Sequence, residues 1–199
     1  ASDVYKRQDK NTSPLEYYSV EYSVPVELVE ILLQDYDSET VDRILGSSYE
    51  MRPTSIRVNT DRISVDEVER KLETAGIETV RGSLNDTSLL IKGYDYVRRI
   101  PGFMDGEFVV QDQSSCLAVR AAGIQNGDLV VDVCAAPGGK TMYAASLAGQ
   151  TGRVISRDLT ENKTELIEEN VDRLGLANVT VEAWDARELD AVSYTHLRA

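Results

Sequence analysis

Histidine and cysteine are scarce in this 199-residue chain, which holds one of the first and two of the second. Cys116 and Cys134 are not in CxxC spacing and have no histidine cluster beside them, so neither a disulfide framework nor a zinc site is expected, and no metal is assigned. Reduced thiols are the expectation. No run of about 18 apolar residues occurs, which disfavours a membrane span. The N-terminal stretch also lacks the basic and apolar blocks of a signal peptide, so a cytoplasmic location is expected. Positive charge is in short supply too: 21 Lys and Arg stand against 34 Asp and Glu, for a net charge of −13. That balance argues against nucleic acid, whose phosphates are bound through Lys and Arg. It is a whole-chain sum, however, and a basic strip such as Arg52, Arg57 and Arg62 can coexist with acidic helices elsewhere.

What is present is an ordinary globular composition, 42% hydrophobic, enough for one good core or two small ones. The first eight residues, ASDVYKRQ, and the last eight, VSYTHLRA, fit neither neighbouring segment. Residues 1–8 and 192–199 are therefore read as non-native tails. The single histidine, His196, falls in the second and receives no catalytic role.

Between the tails, Pro25 opens a densely apolar helix over Val26 to Leu33, expected to be packed on both sides. A second helix starts at Ser38 and closes at Gly46. A strand is expected over Ser55 to Thr60. Ser64 and Glu67 make a capping box for a helix whose Val65, Val68, Leu72 and Ala75 recur at helical spacing as far as Gly76. Strands at Ile77–Val80 and Ser88–Ile91 complete a βαββ unit ending near Gly102 or Gly106. After Phe108-Val109-Val110, a helix is expected from Gln111-Asp112 to Ala122. From Gly127 the pattern becomes regular β/α alternation, the mark of a parallel doubly wound sheet. Its strands are Leu129–Val133, Arg153–Asp158 and Val179–Trp184. Its helices are Gly139 to about Leu147 and Glu161–Leu174, the latter capped by Thr160 with Leu166, Ile167, Asn170, Val171 and Leu174 as its buried stripe. The fold class is α/β: the first three β/α units of a Rossmann-like sheet (108–191) preceded by a small α+β unit (18–107).

The chemistry-bearing segment is Val130 to Thr141, VVDVCAAPGGKT. A strand that ends in a glycine turn and opens a helix offers free backbone N–H groups and a positive helix end to a ligand. A phosphate loop, GxxxxGK[ST], fails here because Cys134 occupies the position of its first glycine. The methionine end of S-adenosylmethionine (SAM) needs close backbone approach, which the small or rigid Ala135, Ala136, Pro137, Gly138 and Gly139 allow. Asp158, about 20 residues on at a strand end, suits the hydroxyls of a ribose. Asp185, past the next strand on the same sheet edge, could accept from an adenine amino group.

These segments resemble the SAM site of the RNA 5-methylcytosine methyltransferase family, the NOL1/NOP2/Sun group. EYSVPVELVEILLQDY, RPTSIRVNT, FVVQDQSSCLA and GRVISRDLTENKTELIEENVDRLGLANVTVEAWDARELD extend the likeness to its bacterial members that act on 16S ribosomal RNA. The resemblance implies that Cys134, Ala135, Ala136, Pro137, Gly138, Gly139, Lys140, Asp158 and Asp185 bind SAM, and that the unit before them is RNA-recognition-like, with Arg57 and Arg62 near phosphates. It also implies a cysteine nucleophile after Asp-Ala-Pro and a second cysteine within Thr-Cys-Ser. Neither motif occurs, so no catalytic residue is assigned and the sequence is expected to be an inactive piece of such an enzyme. Cys134 belongs to the cofactor turn, and Cys116 is expected to be a small buried residue. A non-catalytic RNA-binding module and a P-loop nucleotide hydrolase are the alternatives.

Overall fold

The computed structural model describes residue 10 and residues 13–50 and 52–188. Both expected tails, His196 included, lie outside these residues. The chain divides into two compact units, one ending at Arg52 and one starting at Pro53.

The first unit is three helices, α1 (Pro14–Glu21), α2 (Val26–Asp35) and α3 (Ser38–Gly46), around Tyr18, Val29, Val41 and Leu45. Packing of α2 on both sides does not hold: Val29 is buried, while Val26, Leu28 and Ile31 are exposed. Its partners within the unit, α1 and α3, cover one face only. The cap of α3 is Asp37, which accepts the Thr40 N–H at 2.8 Å, not Ser38. Gly46 keeps right-handed φ of −60° and leads into a 3-10 turn, so it ends no left-handed cap.

The second unit begins with an antiparallel sheet in the order β2-β3-β1-β4: β1 (Thr54–Val58), β2 (Glu78–Arg81), β3 (Ser88–Lys92) and β4 (Phe108–Val110). Helix α4 (Val65–Thr74) starts with both halves of the expected capping box, Ser64 and Glu67. It lays Val68 and Leu72 on Ile56, Val58, Leu89, Ile91 and Phe108. β4 is a fourth strand that the βαββ reading missed. Three residues carry no period of their own, and only pairing with Ile56, Arg57 and Val58 makes them a strand.

The same unit continues through α5 (Gln113–Ala121) into a parallel sheet ordered β5-β6-β7: β5 (Leu129–Asp132), β6 (Arg153–Asp158) and β7 (Val179–Ala183). The crossovers are α6 (Gly139–Ala148) and α7 (Glu161–Leu174), placing successive strand ends along one edge of the sheet. Met142 from α6 and Ile167, Val171 and Leu174 from α7 share one core with Val109 of β4, so the two sheets pack through a common layer. The buried stripe of α7 is Thr164, Ile167, Val171 and Leu174; Leu166 is exposed and Asn170 half-buried. This is the α/β architecture expected from the sequence. Among the described residues β5 pairs on one side only, and all four of its side chains are half-buried. No helix of the described residues is long and apolar enough to cross a membrane.

Candidate functional site

The turn between β5 and α6 begins with an exposed Cys134 and a buried Ala135. Gly138 follows at φ 103°, a left-handed conformation in which glycine alone is unstrained. A Cβ on Gly138 would stand 2.3 Å from the Met142 methyl. Gly138 has no side chain to cap α6, so the N–H groups of the first helical turn, at the half-buried Gly139 and the exposed Lys140, have no intrahelical acceptor. Donors at the positive end of a ten-residue helix favour a carboxylate or another negatively polarised group.

Asp158, at the end of β6, reaches this turn directly. Its Oδ2 accepts the Ala136 N–H at 3.0 Å, and its Oδ1 accepts the Leu159 N–H at 2.8 Å and faces Lys163 Nζ at 3.0 Å. Burial works to raise its pKa, but the two backbone donors and the Lys163 ammonium outweigh it and hold the carboxyl below its ordinary value. A carboxylate offers about four lone-pair sites, so three donors leave one open, and the half-exposed Lys163 can release another. Asp185 follows β7 on the same edge, its carboxylate held by the Arg187 side chain and backbone N–H, which lower its pKa. The Trp184 N–H donates to the Asp158 carbonyl at 2.9 Å, so the two strand ends are tied together. The structure thus gathers the Cys134–Lys140 turn, Asp158 and Asp185 along one sheet edge. The donors of the turn and the acceptors at the strand ends fit a ligand with a negative head and a hydroxyl-bearing tail. No cluster of potential metal ligands occurs among the described residues.

Five supporting residues, Thr141, Asp132, Ser156, Asn170 and Gln111, were not among the expected site residues. Thr141 Oγ1 donates to Asp132 Oδ2 at 2.8 Å and lies 3.0 Å from Ser156 Oγ; its one proton goes to the carboxylate, so Ser156 is the donor of the second bond. This pins the first turn of α6 to β5 and β6. Asn170, read as part of a buried stripe, donates Nδ2 to the Pro137 carbonyl at 3.1 Å and so fastens α7 to the turn. Gln111 is buried beside Gly139, its Oε1 accepting from Arg57 Nε at 2.7 Å and its Nε2 without a hydrogen-bond partner among the described residues. Asp132 and Thr141 had a sequence signal, their places in the strand–turn–helix run. The others depend on long-range packing.

Arg57 is not where the phosphate reading needs it. It is 4% exposed, bonded to Gln111, and stacked on Tyr143 with 4.6 Å from guanidinium to ring centre. The alternation of β1 explains this: Ile56 and Val58 face α4, so Arg57 points to the opposite side, which α6 covers. Arg62 is exposed and donates to the Asp105 carbonyl. Cys116 is fully buried, as expected.

Comparison with known proteins gives the family. Residues 24–97 match the ferredoxin-like domain model of RsmF/B-like methyltransferases, and residues 120–197 match the model of the 16S rRNA methyltransferases RsmB/F. A probable ribosomal RNA small subunit methyltransferase B of Bacillus subtilis is 34% identical over 90% of this chain. A human 28S rRNA (cytosine(4447)-C(5))-methyltransferase is 30% identical over 71% of it. The crystal structure of PH0851 superposes on 93% of the chain with a TM-score of 0.80 and 32% identity. The chain spans only 40%, 18% and 41% of these three proteins respectively. The two matched segments together make up most of its length, and the chain belongs to the RsmB/F family of 16S rRNA methyltransferases.

Proposed function

We propose that this chain supplies the SAM-binding half and the RNA-recognition-like unit of an enzyme that methylates C5 of a cytosine in 16S ribosomal RNA. The observation that carries the reading is the convergence of the uncapped turn at Gly138, Gly139 and Lys140 with Asp158 on one sheet edge. In this reading the first-turn N–H groups of α6 hold the methionine carboxylate, with Cys134, Ala135, Ala136 and Pro137 small enough to admit it. Asp158 turns its open lone pairs to the ribose hydroxyls, and Asp185 accepts from the adenine amino group. SAM itself brings the activated methyl group. The thiol that would attack the base has no counterpart in these 199 residues, which contain neither Asp-Ala-Pro-Cys nor Thr-Cys-Ser. The sequence by itself therefore binds cofactor and does not methylate. Functionally it divides into 18–107, facing RNA, and 108–191, holding SAM.

Titration calorimetry with S-adenosylhomocysteine tests this. The wild-type chain binds it, and Asp158→Ala weakens binding about tenfold or more, the worth of a charge-assisted hydrogen bond. Binding of ATP without S-adenosylhomocysteine would refute the reading in favour of a phosphate loop.

A further inference from the structure

The segment after β3 runs against the charge of the rest of the chain. Over residues 92–99, Lys92, Arg98 and Arg99 face a single acid, Asp95, in a protein whose net charge is −13. Its side chains divide sharply by direction. Tyr94 and Val97 pack on the core of the antiparallel sheet, and Ile100 is buried within it. Tyr96 is 65% exposed, and Arg98 and Arg99 are exposed beside it in a 3-10 turn, Val97–Arg99. The Arg99 guanidinium lies over the Tyr96 ring at 5.2 Å. An aromatic ring held outward by neighbours fixed in a core loses little entropy on stacking, and the arginine beside it can meet a phosphate without bending the chain.

The loop is also well placed. Arg98 Nη2 is 3.6 Å from Glu169 Oε2 on α7, and the next residue of that helix, Asn170, holds the Pro137 carbonyl of the cofactor turn. Farther along the segment, Phe103 and Phe108 give their carbonyls to Arg173 of α7. The same helix thus touches both the loop and the turn. Asp95 lies within the loop, and Glu169 pairs with Arg98 across it. Glu169 partly neutralises Arg98, so the patch is weaker than its arginine count suggests.

We propose that Tyr96, Arg98 and Arg99 form a docking surface for single-stranded RNA, with Tyr96 stacking on a base and the two arginines meeting flanking phosphates. This rests on the reading of the chain as part of an RNA methyltransferase and places the RNA contact on this loop instead of on the buried Arg57. All the residues are exposed, so substitutions there leave the fold intact.

The experiment is fluorescence anisotropy of a labelled oligouridine of about ten nucleotides titrated with the full chain at low salt. The wild type binds, Tyr96→Ala weakens binding about tenfold, and Arg98→Ala weakens it severalfold while lowering the salt slope by about one. Glu169→Gln tightens binding severalfold, because it frees Arg98; a residue serving only the fold would not produce a gain. S-adenosylhomocysteine affinity stays the same in all three variants. The proposal is overturned if the wild type fails to bind the oligomer, if Tyr96→Ala binds as well as the wild type, or if duplex RNA competes as well as single strands. A chain that binds RNA through Tyr96 but takes no S-adenosylhomocysteine keeps this surface and removes the cofactor reading, so the two failures are distinguishable.

Discussion

Asp158 carries two opposed effects in one carboxylate. It is 6% exposed, which disfavours its charge, yet three donors aim at it and win. Its folded pKa therefore lies below the ordinary 3.8. A carboxyl lowered in this way adds stability that is complete above its unfolded pKa and is lost as pH falls through the folded value. The unfolding free energy of the wild type should exceed that of Asp158→Asn at neutral pH, and the gap should close below about pH 4. Denaturant titrations at a series of pH values check this; a gap that stays constant into acid would show that the carboxylate charge contributes nothing. Arg57 shows the opposite outcome at this scale. Its guanidinium has no carboxylate partner among the described residues, burial pulls its pKa down, and its place is fixed by an amide and a ring. Sequence could mark Arg57 as basic, but its direction depends on which face of β1 is covered.

At the scale of elements, the join of β5, turn and α6 is the most constrained piece of the molecule. Alanine at Gly138 must adopt a left-handed conformation at a cost of about 1–2 kcal/mol, and it displaces the Met142 methyl from the core shared with Ile167. Gly138→Ala should lower the unfolding free energy by about 1–2 kcal/mol, read as a fall in the denaturant midpoint, and weaken S-adenosylhomocysteine binding with it; an unchanged midpoint would mean that the turn relaxes freely. This join was legible because its signal is local: small residues, two glycines and a helix start in one short run. The capping box of α4 and the limits of β6 and α7 were legible for the same reason. β4 was not, since three apolar residues take strand geometry only from pairing with β1. The stripe of α7 was read too wide, at Leu166 and Asn170, because period alone cannot tell which flank of a helix its neighbours cover.

For the molecule from Pro53 onward, the antiparallel and parallel sheets are joined by a buried layer to which Val109, Met142 and Ile167 all contribute, so strand β4 and the turn before α6 rest on one core. The net charge of −13 points away from RNA as a sum, but its distribution is uneven: acids are spread over helix surfaces such as α7, while the exposed arginines of the 92–99 loop, the proposed RNA surface, are local. Family membership was legible from motifs spread along most of the chain. The side-chain supports of the site were not, since Gln111, Ser156 and Asn170 act over separations that no local pattern records. The central claim is that one sheet edge, from Cys134 to Asp185, takes SAM. Amide proton–nitrogen spectra of the full chain titrated with S-adenosylhomocysteine test it most directly. The account predicts shifts at Gly138, Gly139, Lys140, Leu159 and Asp185, with Tyr96 unmoved and ATP without effect; shifts confined to other residues, or the same shifts produced by ATP, would contradict it.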